Sequence, residues 1–287
     1  MPQTEQASTI GFSALEAQGW CIARDLMPQA TMEKLAADLR RVFDRTPFCT
    51  GDFYGQRTKR FGRVLARSAH AAALIQCPAI LALVERTLLP WCDTIQLNLA
   101  QAIALHPGAP AQFPHRDQDM WQGVKGEVEY LVNVMWPLTR FTAANGATLI
   151  YPGSHGRQAL ENWHSDPVSA ECDPGDAIIF LGSTLHGAGA NRSLHVRDAL
   201  VVSYCLGWLK PYENQWLAYP PSVARHFDPE LAGLVGYRQH RPNLGNYEGV
   251  CPSILLQDTI LPHLGAVDAL LPEQAEAVSQ HRREQEG

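Results

Sequence analysis

Apolar residues recur at helical spacing in the first part of the chain. Within residues 29–47 they lie three and four positions apart, which predicts an amphipathic helix that a proline ends. A second helix is predicted over 78–90, with one proline in its first turn and another at its end. Residues 11–19 are typical of a short helix closed by glycine. These patterns predict a helical flank at about residues 1–93.

The segment 51–62, between the two longer helices, is rich in glycine, aromatic residues and arginine. This composition is typical of a surface loop. The alternative is a lid or wall over a pocket, because loops on a rigid scaffold often carry binding contacts. Tyr54 in this segment is therefore a candidate pocket residue.

From Thr94 the pattern changes to short runs that alternate or are rich in β-branched residues. Turn signals with Gly and Pro separate these runs, and no helical period interrupts them, which favours an antiparallel sandwich or jelly roll. We therefore predict one mainly β domain with flanking helices (α+β) over residues 1–287, with a jelly-roll core at about 94–210 and a C-terminal extension at about 211–287. The predicted strands cover residues 94–106, 127–138, 147–151, 177–181 and 198–206.

Composition and charge mainly exclude classes of protein and of binding partner. The 287 residues are 46% hydrophobic and 18% charged, which is ordinary for a soluble globular protein. A formal net charge of -6 gives no electrostatic footprint for nucleic acid or an anionic membrane. Seven scattered cysteines, with no C-x-x-C pair, favour free thiols over disulfides or zinc. Residues 1–8 have no signal-peptide pattern, and polar residues and a proline interrupt the apolar stretch 71–89, so we expect a cytoplasmic protein without a membrane span.

The first candidate metal ligands are His115 and Asp117. A histidine and a carboxylate two residues apart in an extended segment lie on one face. A third ligand from far along the chain would complete a facial set with open positions, as in a non-haem Fe(II) site that binds substrate and dioxygen. His186 follows an apolar strand in a glycine-rich corner and is a candidate third ligand. The alternative for His115 and Asp117 is a solvated loop pair.

Arg197 follows His186 after eleven residues and begins the next predicted strand. Its planar guanidinium can bind a carboxylate through two hydrogen bonds. Arg192 competes with it for this role. The histidines that compete as metal ligands are His106, His155 and His195.

Four segments resemble the phytanoyl-CoA dioxygenase family of Fe(II)/2-oxoglutarate-dependent oxygenases. They are Gln112-x-x-His115-x-Asp117, the run 145–155 (Asn-Gly-Ala-Thr-Leu-Ile-Tyr-Pro-Gly-Ser-His), Pro-Gly-Asp at 174–176, and 186–193 followed by Arg197. The segments follow the family order and cover roughly residues 95–210. The resemblance implies that the iron ligands are His115, Asp117 and His186. It implies further that Arg197 holds the distal carboxylate of 2-oxoglutarate, with Thr148 and Gln112 as auxiliary contacts like those of the branch acting on complex natural products.

The same resemblance implies a double-stranded β-helix, a cupin-like jelly roll with N-terminal helices, and Fe(II), 2-oxoglutarate and dioxygen as cofactors. The expected reaction is hydroxylation of an unactivated C–H bond with release of succinate and carbon dioxide; desaturation, epoxidation and rearrangement are alternatives. Asp117 favours oxygenation, because relatives that halogenate have a small residue in its place. The expected substrate is a mostly apolar small molecule, such as a terpenoid, polyketide or alkaloid skeleton. Its candidate pocket residues, which are alternatively plain core residues, are Tyr54, Phe113, Trp121 and Trp208.

Other interpretations remain at this point. One is an inactive jelly-roll binding or scaffold protein, against which the intact ligand set and Arg197 argue. Another is a cupin-like metalloenzyme that does not use 2-oxoglutarate. An acyl-CoA thioester or an amino acid is an alternative substrate, although no Lys/Arg cluster supports recognition of the phosphates of coenzyme A. A homodimer is expected by analogy with relatives.

Overall fold

The computed structural model describes residues 11–157, 166–259 and 262–286, and two antiparallel sheets form its centre. Its strands are β1 (Trp20–Ala23), β2 (Thr58–Phe61), β3 (Ile95–Leu105), β4 (Leu131–Pro137), β5 (Thr148–Ile150), β6 (Val168–Ser169), β7 (Ala177–Leu181), β8 (His186–Ala188) and β9 (Arg197–Leu206). The larger sheet has six strands in the order β1-β7-β4-β9-β3-β2, and the smaller sheet has three in the order β6-β5-β8.

In the described part of the chain, four helices precede β3 and four follow β9. They are α1 (Phe12–Gln18), α2 (Gln29–Arg45), α3 (Ala71–Ile75), α4 (Pro78–Leu88), α5 (Gln215–Ala218), α6 (Pro221–Ala224), α7 (Pro229–Leu234) and α8 (Pro272–Glu286). Short 3₁₀ turns occur at Val64–Ala66, Leu89–Trp91, Asp117–Met120 and Pro252–Leu256. The helices predicted at 11–19, 29–47 and 78–90 are confirmed as α1, α2 and α4.

Strand alternation gives the larger sheet two different faces. On β9, Leu200, Val202 and Tyr204 join the core that packs against the helices, while Ala199 and Val201 join a second core between the two sheets. This arrangement is the predicted jelly roll with helical flanks. The face of β9 that carries Ala199 and Val201 also carries Arg197, so the period of two directs that arginine into the space between the sheets.

Two predicted elements differ from the structure. The strand predicted at 127–138 spans only Leu131–Pro137, and the Glu129 side chain just before it accepts hydrogen bonds from Ser183. Within 51–62, residues 58–61 are not loop but the edge strand β2, with Thr58 opposite Leu105. Only residues 51–57 form the loop. The mostly polar sequence of β2 (Thr-Lys-Arg-Phe) did not signal a strand.

The predictions about cysteines and membrane spans can be compared with the described residues. All seven cysteines are free, as predicted, and four of them are buried. Among the described residues, no helix is both long and apolar enough to cross a membrane. Residues 1–8, for which no signal-peptide pattern is predicted, lie outside the described part.

A β-bulge at Asn98 connects the larger sheet to the segment that follows β9. The pairing of β3 with β9 shifts between Leu97 and Leu99, so Asn98 has no partner on β9 in the ladder. Its fully buried side chain donates to Ser203 Oγ at 2.9 Å and accepts from the Tyr212 N–H at 2.7 Å. Its carbonyl accepts from the Glu213 N–H at 3.0 Å. The bulge thus turns one strand residue into an anchor for Tyr212 and Glu213.

We expect Asn98→Ala to lower the free energy of unfolding by about 2 kcal/mol, because it leaves the Tyr212 N–H and the Ser203 hydroxyl without their partner. Urea denaturation measures this change. The control is Asn246→Ala, which removes an exposed asparagine side chain in a turn and is expected to cost less than about 1 kcal/mol. Equal midpoint shifts for the two variants would contradict the role of the bulge.

Candidate metal centre

His115 and His186 are joined through their main chains. Each N–H donates to the carbonyl of the other residue at 3.0 Å, which forms an isolated antiparallel bridge. The bridge ties the segment after β3 to the start of β8. Arg116 is extended, with φ -115° and ψ 125°, so the Asp117 side chain returns to the side of His115, after which the chain enters a 3₁₀ turn. A local bridge and one extended residue therefore bring the three side chains together.

The ligand atoms of His115, Asp117 and His186 all lie within 4.8 Å of one another. Asp117 Oδ1 is 3.4 Å from His115 Nε2, and Asp117 Oδ2 is 3.5 Å from His186 Nε2. Two imidazoles and one carboxylate form the donor set that suits Fe(II) in a facial site.

Main-chain carbonyls fix the tautomer of both histidines. His115 Nδ1 lies 2.9 Å from the Phe113 carbonyl, and His186 Nδ1 lies 3.1 Å from the Thr184 carbonyl. Because a carbonyl only accepts, each Nδ1 donates, and each neutral ring keeps a free lone pair on Nε2. The Asn133 amide donates to Asp117 Oδ2 at 3.0 Å and orients the carboxylate. The donor atoms of the cluster are thus presented in the form that binds a metal ion.

The pKa shifts of Asp117 and His186 agree with this arrangement. Burial would raise the pKa of Asp117, but His186, His115 and Asn133 outweigh it and lower that pKa to about 2. Burial lowers the pKa of the His186 imidazole, which keeps this ring neutral. Burial acts in the same direction on His115, but the hydrogen bond and charge of Asp117 prevail and raise its pKa. The carboxylate is therefore ionised at neutral pH.

Arg197 lies in the cavity beside this cluster and has only 2% of its surface exposed. Its Nε and Nη1 have no hydrogen-bond partner, and its guanidinium lies 4.4 Å from the centre of the Phe141 ring. Burial and the nearby charge of Arg60 lower the pKa of Arg197 to about 10. A buried cation with free N–H groups is costly unless an anion pairs with it. The site therefore fits a carboxylate.

Arg60 is a cavity residue that the sequence analysis did not assign to the site. It projects from the edge strand β2 into the same cavity, where its Nη1 donates to Gln101 Oε1 at 3.3 Å and its Nε has no partner. Burial lowers its pKa. No local pattern reveals it, because the polar segment β2 is recognised as a strand only through its pairing with β3. Two arginines facing one cavity fit a dicarboxylate.

The other predicted cosubstrate contacts also lie in this cavity. Thr148 is buried at the start of β5, opposite Ala188 of β8. Gln112 accepts at Oε1 from the Ala188 N–H and donates through Nε2 to the Phe53 carbonyl, each at 3.3 Å. The cavity thus brings together the metal cluster, Arg197, Thr148 and Gln112.

The four predicted pocket residues lie in different places. Tyr54 lines the cavity of the metal cluster, and its hydroxyl contacts that of Tyr212. Phe113, two residues before His115, is 75% exposed. Trp121 packs against Tyr130 and donates to the Lys210 carbonyl. Trp208 lines a separate cavity and donates to the Trp91 carbonyl. Of the four, the structure brings only Tyr54 to the cavity lining.

The competing residues are outside the cluster. His155 Nε2 contacts the Glu16 carbonyl at 2.9 Å, and the His106 ring packs edge-on against Phe48. His195 and Arg192 are exposed on the chain before β9. None of these four side chains lines the cavity that holds the metal cluster.

Glu129 supports the turn that leads to His186. Its carboxyl accepts from the Ser183 N–H at 3.1 Å and from the Ser183 hydroxyl at 2.6 Å. Burial raises the pKa of Glu129 to about 7 although these hydrogen bonds oppose the rise. The folded protein therefore keeps a proton on this group well above its ordinary range.

Comparison with known proteins gives concordant matches. The sequence profile of the phytanoyl-CoA dioxygenase (PhyH) family matches residues 15–199. Dioxygenase cdmD of Talaromyces verruculosus is 36% identical over 151 residues, an alignment that spans 50% of this chain and 49% of cdmD. Dioxygenase FrzG of a Cladobotryum species is 32% identical over 216 residues, 67% of this chain and 68% of that protein. Among solved structures, the non-heme α-ketoglutarate-dependent epimerase SnoN from nogalamycin biosynthesis is similar in fold, with a TM-score of 0.58, 18% identity, and coverage of 73% of this chain and 86% of SnoN.

We expect Glu129→Gln to change how stability depends on pH. In the unfolded chain the carboxyl ionises near its ordinary pKa of 4.5, whereas the folded protein holds the proton up to about pH 7. The resulting stabilisation is present below about pH 4.5 and is lost as the pH rises through 7. Because glutamine stays neutral, the variant gains about 1–2 kcal/mol relative to wild type between pH 5 and pH 8. Urea denaturation at both pH values measures this, with Glu85→Gln on the exposed side of α4 as control. A parallel pH dependence in wild type and Glu129→Gln would contradict the raised pKa.

Proposed function

The chain belongs to the phytanoyl-CoA dioxygenase family and is thus an Fe(II)- and 2-oxoglutarate-dependent dioxygenase, and from this premise we propose that it hydroxylates an unactivated C–H bond of a mostly apolar, natural-product-like small molecule. In the proposed reaction, succinate and carbon dioxide are released. Small-molecule chemistry of this kind needs a cavity that holds a metal, a cosubstrate and an apolar skeleton together.

The observation that carries the proposal is one cavity containing both a His/Asp/His cluster and a buried arginine with free N–H groups. In the proposed assignment, His115, Asp117 and His186 bind Fe(II), and Arg197 binds the distal carboxylate of 2-oxoglutarate. Arg60 supplies a second positive charge, which suits a dianion. A buried and a half-buried cation facing one cavity favour an acidic cosubstrate over a metalloenzyme that uses none.

The protein's own groups prepare the site. The Phe113 and Thr184 carbonyls hold the imidazoles with Nε2 free, and Asn133 holds the Asp117 carboxylate. Thr148 and Gln112 are proposed as further polar contacts to the cosubstrate. When bound, Fe(II) with 2-oxoglutarate supplies the oxidising power drawn from dioxygen, while the chain decides which carbon of the substrate lies nearest. A carboxylate at Asp117 supports oxygenation rather than halogenation.

The walls of the cavity support an apolar substrate. Between the sheets they include Leu99, Ile103 and Val201. At the opening, Phe53 is 48% exposed and Met120 is 38% exposed. An exposed apolar rim beside a cavity is typical of a ligand-binding opening. These side chains suit the hydrocarbon part of a terpenoid, polyketide or alkaloid skeleton. The homodimer and the cytoplasmic location remain predictions.

We expect Arg197→Met to separate stability from cosubstrate binding. Removing a buried cation that has no anionic partner raises the free energy of unfolding of the ligand-free protein by about 1–3 kcal/mol. The same change lowers the affinity for 2-oxoglutarate by about 100-fold, because the charge-assisted hydrogen bonds are lost. Urea denaturation and calorimetric titration measure the two effects. Arg192→Met, which removes the exposed competitor, is expected to alter neither; loss of 2-oxoglutarate binding in that variant instead would refute the assignment.

The proposed function is tested most directly by anaerobic reconstitution with Fe(II). We expect a weak charge-transfer band in the visible spectrum only when Fe(II) and 2-oxoglutarate are both present, and no such band in His115→Ala. The control is His195→Ala, which removes an exposed histidine and keeps the band. Succinate release then identifies substrates among candidate apolar compounds. A wild-type protein that binds no iron, or whose iron does not respond to 2-oxoglutarate, would rule the proposal out.

A further inference from the structure

The loop of residues 51–57, which we name the mouth loop, touches three residues of the candidate site. The Phe53 ring packs edge-on against the His115 imidazole, with ring centres 4.8 Å apart. The Phe53 carbonyl accepts the 3.3 Å hydrogen bond from Gln112 Nε2. The Tyr54 ring lies under the Arg60 guanidinium at 5.0 Å. The loop therefore contacts a proposed metal ligand and two proposed cosubstrate contacts at once.

The far side of the opening is formed by Tyr212, whose hydroxyl contacts the Tyr54 hydroxyl. The main chain of Tyr212 is fixed, because its N–H donates a hydrogen bond to the buried Asn98 side chain. The next residue, Glu213, is held by the Asn98 carbonyl and by the Arg63 N–H at 2.8 Å. One partner of the hydroxyl pair is thus attached to the rigid sheet.

The other partner belongs to the exposed tip of the mouth loop, whose C-terminal end is anchored at Arg57: its carbonyl accepts from the His106 N–H at 3.0 Å and its Nη1 donates to the Pro107 carbonyl at 3.1 Å. Gly51 and Gly55 frame the loop tip with φ of 95° and 82°, a region that favours glycine. A Cβ added at Gly51 would meet nothing within 4 Å, so this position is open to solvent. Phe53 and Tyr54 remain 48% and 36% exposed. The loop tip is therefore held over the cavity by few contacts, of which the hydroxyl pair is the link to the opposite wall.

We propose that Tyr54 and Tyr212 form a latch that keeps the mouth loop closed over the cavity and that 2-oxoglutarate loosens this latch when it binds. The proposal rests on the proposed function, because it takes 2-oxoglutarate as the ligand of Arg60. Tyr54 and Tyr212 are thereby residues that control access to the reaction.

The sign of the coupling follows from charge. The Tyr54 ring is attracted to Arg60 by the positive charge of the guanidinium. A carboxylate that pairs with Arg60 neutralises this charge and turns its N–H groups toward the anion, so the attraction that holds Tyr54 weakens. The closed loop and the bound cosubstrate therefore oppose each other. By linkage, a change that weakens the closed loop must strengthen cosubstrate binding.

The test uses two single-atom changes, Tyr54→Phe and Tyr212→Phe, in the full chain loaded anaerobically with Fe(II). Each variant removes one hydroxyl of the latch and keeps the aromatic ring. We expect 2-oxoglutarate, titrated by its visible band, to bind about threefold to tenfold more tightly than to wild type. Amide hydrogen exchange over residues 51–57 is expected to rise in both variants without ligand, and in wild type only when 2-oxoglutarate is added.

The matched control is Tyr247→Phe, which removes a phenol hydroxyl from a residue that does not line the cavity and is expected to match wild type in both measurements. Unchanged or weaker 2-oxoglutarate binding in both latch variants, with normal binding in wild type, would overturn the latch and leave the proposed function standing. The absence of any 2-oxoglutarate response in wild type would instead overturn the proposed function and the release step with it.

Discussion

The candidate site depends on positive charge held beside the metal cluster, on the buried Arg197 and the half-buried Arg60. Arg197 lies in the jelly-roll interior with two of its nitrogens unpartnered, and Arg60 faces the same space from the edge strand. Among the side chains that the structure describes, two carboxylates line the cavity: Asp52, which is exposed, and Asp117, which already lies between two imidazoles. Such an arrangement is unfavourable for the isolated chain, and it is tolerated because a large apolar core on the other face of the sheet supplies the stability. When an anion binds, it pairs with the arginines and removes this unfavourable free energy, which increases the affinity of the site for the anion.

The rest of the cavity follows from strand geometry. The period of two along β9 sends alternate residues to the helices and to the cavity, and β4 does the same by presenting Asn133 beneath the Asp117 carboxylate. The smaller sheet contributes little more than His186 and Thr148, yet the main-chain bridge to His115 locks its position. A rigid scaffold therefore fixes the groups near the metal cluster, while the opening is framed by a loop.

The sequence was informative where a residue's chemistry and its local pattern agree. The apolar periods of α2 and α4 follow from burial of one face, and turn signals with β-branched residues mark strands such as β9; these are local properties. The proximity of His115 and Asp117 also follows from local geometry, and the family segments pointed to His186. The sequence did not reveal Arg60 as a site residue, because β2 is a polar edge strand that depends on pairing with β3, a long-range contact. Likewise, the separation of Trp208 from the metal cluster depends on the path of the chain after β9, which no local period encodes.

The pairing of β1 with β7 has a consequence for how the protein is made. β1 places Trp20 opposite Phe180, and the Gly19 carbonyl just before it accepts from the Thr184 hydroxyl in the turn before His186. During translation β1 leaves the ribosome long before β7 exists, so among the described strands β1 has no sheet partner until β7 is synthesised. Contacts so distant in sequence form slowly. The metal cluster is therefore completed late in the folding of each new chain. Until then β1 presents an edge of only four residues, which limits the risk of wrong pairing.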